Sequence, residues 1–342
     1  MAPRQLSMFG DEGEAAPRRS GSIPPPVSPA EVSPPTAALG AALPREVHLG
    51  TSSWSFPGWT GLVYAPREGK PETESRLARL GLAAYAAHPL LRTVSLDRTF
   101  YAPLSAAEFA RYAADVPAGF RFVVKAPAAF TDPVVRKPGS GVAARDNPSF
   151  LDAATATDAF VRPALDGLGE KAGPLVFQFP PLGRRLVSDM RRTAARIAAF
   201  LAALPRRDAI YAVEVRDPEL ACTDFAAAIR AAGGVPCLAI HARMPPAAEQ
   251  ARAFGLDPPG GGPPLVARWN LHAGRQYEQA KADYFPFDQL VEEDHASRTA
   301  LAGLARTAAA AGRDVFITIN NKAEGSAPLS VARLAAAIVT GA

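Results

Sequence analysis

The sequence predicts a single β/α barrel of the TIM type, with helices outside and a Pro-rich segment ahead of it. Three observations predict it. Eight short apolar runs recur after residue 46, Ala-rich segments of helical periodicity separate them, and polar side chains gather where the runs end.

The runs are Val47 to Gly50, Thr93 to Leu96, Phe120 to Val124, Leu175 to Phe179, Ile210 to Val215, Val235 to Ile240, Leu265 to Trp269 and Val315 to Ile319. Their hydrophobicity is continuous rather than alternating, which suits strands covered on both faces. Helical patterns fill Glu74 to Ala87, Ser105 to Ala114, Pro148 to Leu168, Ser188 to Leu204, Thr223 to Ala232, Asp294 to Ala311 and Pro328 to Val339. Between the sixth and seventh runs, Met244 to Pro264 carries repeated prolines and three successive glycines, leaving room for little more than a short helix. The alternative is a doubly wound open sheet, but no Gly-rich dinucleotide fingerprint follows any run.

With 342 residues, 48% of them hydrophobic, the chain can bury one large core. No window approaches a membrane span of roughly 18 to 20 apolar residues, and Asp11, Glu12 and Glu14 rule against a secretory leader, so a cytoplasmic protein is expected. Cys222 and Cys237 support neither a disulfide framework nor a zinc knuckle and read as small buried hydrophobes. The 37 Lys and Arg against 33 Asp and Glu give a net charge of +4, compatible with an anionic partner but too diffuse to identify one.

Residues 1–45 hold nine of the 34 prolines and one aromatic, Phe9, without apolar periodicity. Such a segment is expected to stay disordered, with the barrel in residues 46–342. Within it, Gln5-Leu6-Ser7-Met8-Phe9 resembles the pentapeptide by which bacterial replication and repair proteins dock on the sliding clamp. Leu6, Met8 and Phe9 would fill apolar pockets and Gln5 would bond at the rim. The competing reading is a tail whose few apolar residues do nothing.

In a barrel of this type the chemistry sits at the C-terminal mouth. There the runs lead into Thr51-Ser52-Ser53-Trp54, Asp97 to Tyr101, Lys125, Gln178, Glu214 with Arg216, His241 with Arg243, Arg268 with Asn270 and His272, and Asn320-Asn321-Lys322. Arg98, Lys125, Arg216, Arg243, Arg268 and Lys322 outnumber Asp97, Glu214 and Asp217, so the mouth is expected to favour a phosphate or carboxylate. Each of these residues could instead cap a helix or satisfy loop backbone, and Glu214 with Arg216 could be an internal ion pair. Trp54, Trp59, Phe100 and Tyr101 could wall a sugar or base, or simply plug the core. Thr131 to Asn147, with Arg136, Lys137 and Arg145, is a candidate lid or a solvated loop. Glu214, His241 and His272 are candidate ligands for a divalent metal such as zinc or manganese, although no local metal motif accompanies them.

The strand-end phrases, in order, are similar to those of the YecE-like family, a domain-of-unknown-function family. They are Gly50-Thr51-Ser52-Ser53-Trp54, Trp59 with Gly61 and Tyr64, Thr99-Phe100-Tyr101, Phe120 to Pro127, Phe177 to Pro181, Val213 to Arg216, Arg268 and Asn320-Asn321. They span most of residues 47–340. The resemblance implies a barrel and a pocket, without an assigned reaction. Two departures stand out. Ser95 and Asp97 replace the family's acidic residue and Asn, so Asp97 is the candidate to supply the missing carboxylate, and Asn270 stands in a phrase that usually reads Arg-x-His-Gly.

These features point first to a nucleic-acid-associated hydrolase or repair factor, brought to DNA by the sliding clamp. Lys125, Arg216 and Arg268 would hold phosphate, and Glu214, His272 and Asp97 would do acid and base work. Trp54, Tyr101, Gln178, Asn320 and Asn321 would line the ligand site. The alternatives are an enzyme acting on a phosphorylated or carboxylated sugar and a non-catalytic ligand-binding module.

Overall fold

Each of the eight apolar runs forms a strand, and the strands close into a parallel barrel in chain order, the eighth pairing with the first. We number them β1 (Val47–Thr51), β2 (Thr93–Leu96), β3 (Arg121–Lys125), β4 (Ala172–Gln178), β5 (Tyr211–Glu214), β6 (Val235–Ile240), β7 (Leu265–Trp269) and β8 (Val315–Ile319). The computed structural model describes residues 25–136, 142–256 and 262–341.

The helices run where the periodicity predicts them, with capping chemistry at their ends. Ser105 and Glu108 form a reciprocal capping box ahead of Ala106–Ala114. Asp189 and Asp294 each accept a backbone N–H to start Met190–Ala202 and His295–Ala310. The segment expected as one helix from Pro148 to Leu168 becomes Ala153–Ala156, a π-helical turn Thr157–Val161 and Arg162–Leu168. Pro163, which has no N–H to donate, lies just past that widened turn. The sixth crossover holds the short helix Ala247–Phe254.

Where residues 1–45 were expected to lack structure, residues 25–45 are ordered. Ser33 caps a helix Pro34–Ala42 whose first positions are prolines, a favoured start because their missing N–H groups would be unpaired anyway. Val27 and Leu43 are buried in the main core, and Arg76 donates to the carbonyls of Pro25 and Pro26. Arg92 likewise donates to the carbonyls of Gly40, Leu43 and Pro44, tying the helix end to the barrel floor. Residues 5–9 lie outside the described residues.

The barrel interior is layered. Val123, Val176, Ala212, Cys237, Val266 and Phe316, from six different strands, form an apolar cluster separate from the sheet-to-helix core. Side chains two positions apart share a face of a strand. The next inward layer therefore reads Lys125, Gln178, Glu214, Ala239, Arg268 and Thr318, which is where the interior turns polar. Gly50 lets β1 approach β2: a Cβ there would sit 1.8 Å from the Thr93 carbonyl oxygen. The floor end carries a depression of about 720 Å³ lined by Leu43, His48, His88, Arg92 and Phe120, at the opposite end from the charged layer. Among the described residues no helix is long and apolar enough to cross a membrane.

Candidate functional site

Arg268 is the hub of the polar layer. It is 2% exposed, and one Nη bonds Glu214 Oε2 at 2.7 Å and Gln178 Oε1 at 3.3 Å. The other Nη spans both carboxylate oxygens of Asp97 at 3.0 and 2.9 Å. The planar guanidinium fork thus bridges β5 to the end of β2 across the barrel. Asp97 is steadied by Ser95, whose hydroxyl donates at 2.6 Å. Asp97 thereby supplies a second carboxylate partner for Arg268.

Glu214 is fully buried, with Arg216 on Oε1, Arg268 on Oε2 and the Asn270 amide donating to Oε1 at 3.3 Å. Burial opposes its ionisation, but Arg216, Arg268 and Lys125 together outweigh that and hold the carboxyl below its ordinary range. A carboxylate gripped on both oxygens and kept ionised anchors arginines; it does not trade protons. The acid-base part expected of Glu214 is therefore not the one this geometry gives it. Arg268, with its Nη donors engaged inside the protein, is similarly not free to hold a phosphate.

Two cations at the mouth, Lys125 and Lys322, have no such partners among the described residues. Lys125 Nζ lies 3.6 Å from the centre of the Phe100 ring, and Lys322 Nζ lies 4.2 Å from that of Tyr277. Burial pushes the Lys125 amine down to about 8, with nearby Asp97 pulling the other way. Burial also brings Lys322 down to about 8, assisted by the charge of Lys281. Arg216 is mostly buried, and its Nε has no hydrogen-bond partner among the described residues. Tyr101, 75% exposed, stands on the rim in edge contact with Phe100.

Several expected ligand residues turn inward instead. Trp54 is buried, with its indole N–H on the Leu77 carbonyl at 3.0 Å, and Trp59 is fully buried with its N–H on Asn321 Oδ1. Both are plugs over the core. Asn321 also accepts from Ala327 N–H at the start of the last helix. Asn320 caps Lys322 N–H and donates to the Ser52 hydroxyl at 2.8 Å. Arg98 points outward to Tyr112 and Glu108. Asp217 accepts from Leu182 N–H.

His272 sits at the outer rim, its Nδ1 2.8 Å from the Ala273 carbonyl and 3.8 Å from Glu292. Burial, reinforced by Arg216, lowers His241 to about 4. With Glu214 held by two guanidinium groups and His272 turned to Glu292, the three candidate metal ligands do not converge. Among the described residues no three His, Cys, Asp or Glu side chains group to hold a metal. The candidate lid from Thr131 contains a small antiparallel ribbon, Val134–Arg136 with Ala143–Asp146, and Arg136 pairs with Asp132 at 2.7 Å. Lys137 lies outside the described residues. Tyr277, unsuspected from the sequence, reaches the mouth from the helix Tyr277–Tyr284 in the excursion after β7. No strand-end rule reaches that far along a loop.

A family model described as protein of unknown function DUF72 matches residues 48–341. A DUF72 protein structure from Enterococcus faecalis V583 is similar, with 17% identity, a TM-score of 0.53 and coverage of 85% of this chain and 95% of that one. One from Thermotoga maritima MSB8 has 18% identity, a TM-score of 0.50 and coverage of 84% and 97%. At these identities the likeness shows the shared fold. Among curated proteins the chain has no match.

Removing the hub tests the electrostatics. Arg268→Ala strips Glu214 of one of two buried partners and should cost about 3 kcal/mol, the low end for a broken buried pair because Arg216 remains. The paired change Arg268→Met with Glu214→Gln should not recover that loss in urea denaturation, because it leaves Arg216 and Asp97 without their partners. A loss below about 1 kcal/mol for the single variant would mean the pair is not desolvated.

Proposed function

Because the chain belongs to the DUF72 family, whose description names no reaction, we propose from its own mouth that it binds a small anionic molecule carrying a phosphate or carboxylate. The observation that carries this reading is how the charges divide. Of the cations Arg216, Arg268, Lys125 and Lys322 at the mouth, the two arginines hold Glu214 and Asp97, while the two lysines lean on aromatic rings. Two carboxylates against four cations leave the mouth positive, in a partly desolvated setting where each charge acts strongly. An anion between Arg216, Lys322 and Lys125 would offset that excess, with Phe100, Tyr101 and Tyr277 beside its less polar part.

Inorganic phosphate and ribose 5-phosphate should raise the melting temperature of the full chain and bind measurably by calorimetry. Arg216→Gln and Lys322→Gln should each weaken binding by about tenfold, or roughly 1.4 kcal/mol. Both amines are brought down to about 8, so they are charged below that pH and neutral above it. Affinity should therefore fall as pH rises through about 8, leaving the arginines alone to hold the anion. No binding, or binding indifferent to both variants, would contradict the reading.

The pentapeptide Gln5-Leu6-Ser7-Met8-Phe9 favours a second version, in which the phosphate belongs to nucleic acid and the sliding clamp delivers the barrel, as a hydrolase or repair factor. Purified bacterial clamp should bind the full chain with micromolar affinity and lose the double variant Leu6→Ala, Phe9→Ala. Equal behaviour of both proteins would leave the small-molecule version standing alone.

A further inference from the structure

We propose that Lys125 is a nucleophilic amine that condenses with the carbonyl carbon of an anionic aldehyde or ketone to form an imine. This rests on the anion-binding reading for the substrate's charge, and on an independent arrangement for the amine.

Two carboxylates lie in the same layer as Lys125, and neither is its ion-pair partner. Asp97 is taken by Arg268 and Ser95, and Glu214 by Arg216, Arg268 and Asn270. Among the described residues the Lys125 amine has neither a hydrogen bond nor an ion pair, only the face of Phe100. A lysine kept only for its charge gains most beside a carboxylate, and partly burying one without an anion is costly. That cost is accepted where the neutral amine is the working form. Lys125 also ends β3, so its amine stands at the mouth where a ligand arrives.

The lowered amine pKa agrees with this placement. At pH 7.5 a lysine titrating at about 8 is roughly a quarter neutral, against about a thousandth for an ordinary lysine. The lone pair of Nζ attacks the carbonyl carbon and the C–O π pair moves to oxygen. The nitrogen then gives up its protons, the oxygen departs as water, and a C=N bond forms. Amine plus carbonyl gives imine plus water, with no net oxidation or reduction. Arg216 and Lys322 would hold the phosphate or carboxylate of the same molecule, while Phe100 keeps bulk water from one side of the amine.

The test incubates the full chain with ribose 5-phosphate or with pyruvate, reduces with cyanoborohydride and maps the adduct by peptide mass spectrometry. The expected result is a saturable adduct concentrated at Lys125 with at least one probe and suppressed by inorganic phosphate. An adduct with ribose 5-phosphate alone assigns a phosphorylated carbonyl compound, and one with pyruvate alone a carboxylated one. Lys125→Arg, checked for a cooperative thermal transition, should lose it. In the unaltered chain, Lys125 should also outpace exposed lysines in acylation by acetic anhydride at pH 7.5. No adduct at Lys125 with either probe, or adducts spread over exposed lysines, overturns the proposal. If phosphate still binds in that case, the imine fails and the anion site stands; if phosphate does not bind either, both fail.

Discussion

The polar interior depends on one guanidinium. Arg268 spans the barrel between Glu214 and Asp97, and its planar fork fixes the positions of both carboxylates. Because β5 and β7 are separated by β6, this contact crosses the lumen instead of following the sheet. It caps the apolar layer that runs from Val123 to Phe316 around the barrel, and it decides which charges remain for a ligand. With both carboxylates committed to arginine, the two lysines face the opening against aromatic rings.

That arrangement follows from packing a period-two strand into a closed barrel. The face that carries Val123, Val176, Ala212 and Val266 carries Lys125, Gln178, Glu214 and Arg268 one step later. A core that would be destabilised by a single buried charge tolerates Glu214 and Arg268 because opposite signs meet at hydrogen-bonding distance. The excursion after β7 completes the mouth. It brings Tyr277 over Lys322, and sets Arg275 in ion pairs with Glu292 and Asp283, with His272 beside Glu292.

All eight strands were legible because strands covered on both faces read as unbroken apolar runs. The helix Pro34–Ala42 was not, since its prolines suggested a tail, although Ser33 followed by Pro34 is itself a helix-start signal. The site was half legible. Strand-end position identified Asp97, Lys125, Gln178, Glu214, Arg216 and Arg268, but it gave no direction for a side chain beyond the last paired residue. Trp54 and Asn321 therefore read as ligand groups when the Trp54 indole N–H is bonded to backbone and the Asn321 Oδ1 accepts from Trp59 and Ala327 inside the core. Counting by twos from the apolar layer would have separated the inward residues from the rest. Pairing was beyond reach: nothing in the spacing says that Arg268 takes both carboxylates and leaves the lysines without one.

Lys125 and Lys322 are desolvated amines that have no carboxylate partner among the described residues, beside arginines that do. Following the lysine ε-carbon resonances by NMR across pH 6 to 11, with Lys125→Arg and Lys322→Arg to assign them, measures this directly. Two lysines should titrate at about 8, both moving upward when phosphate is added. If every lysine titrates near the ordinary value of about 10.4 and none responds to phosphate, the division of charge at the mouth is not as described.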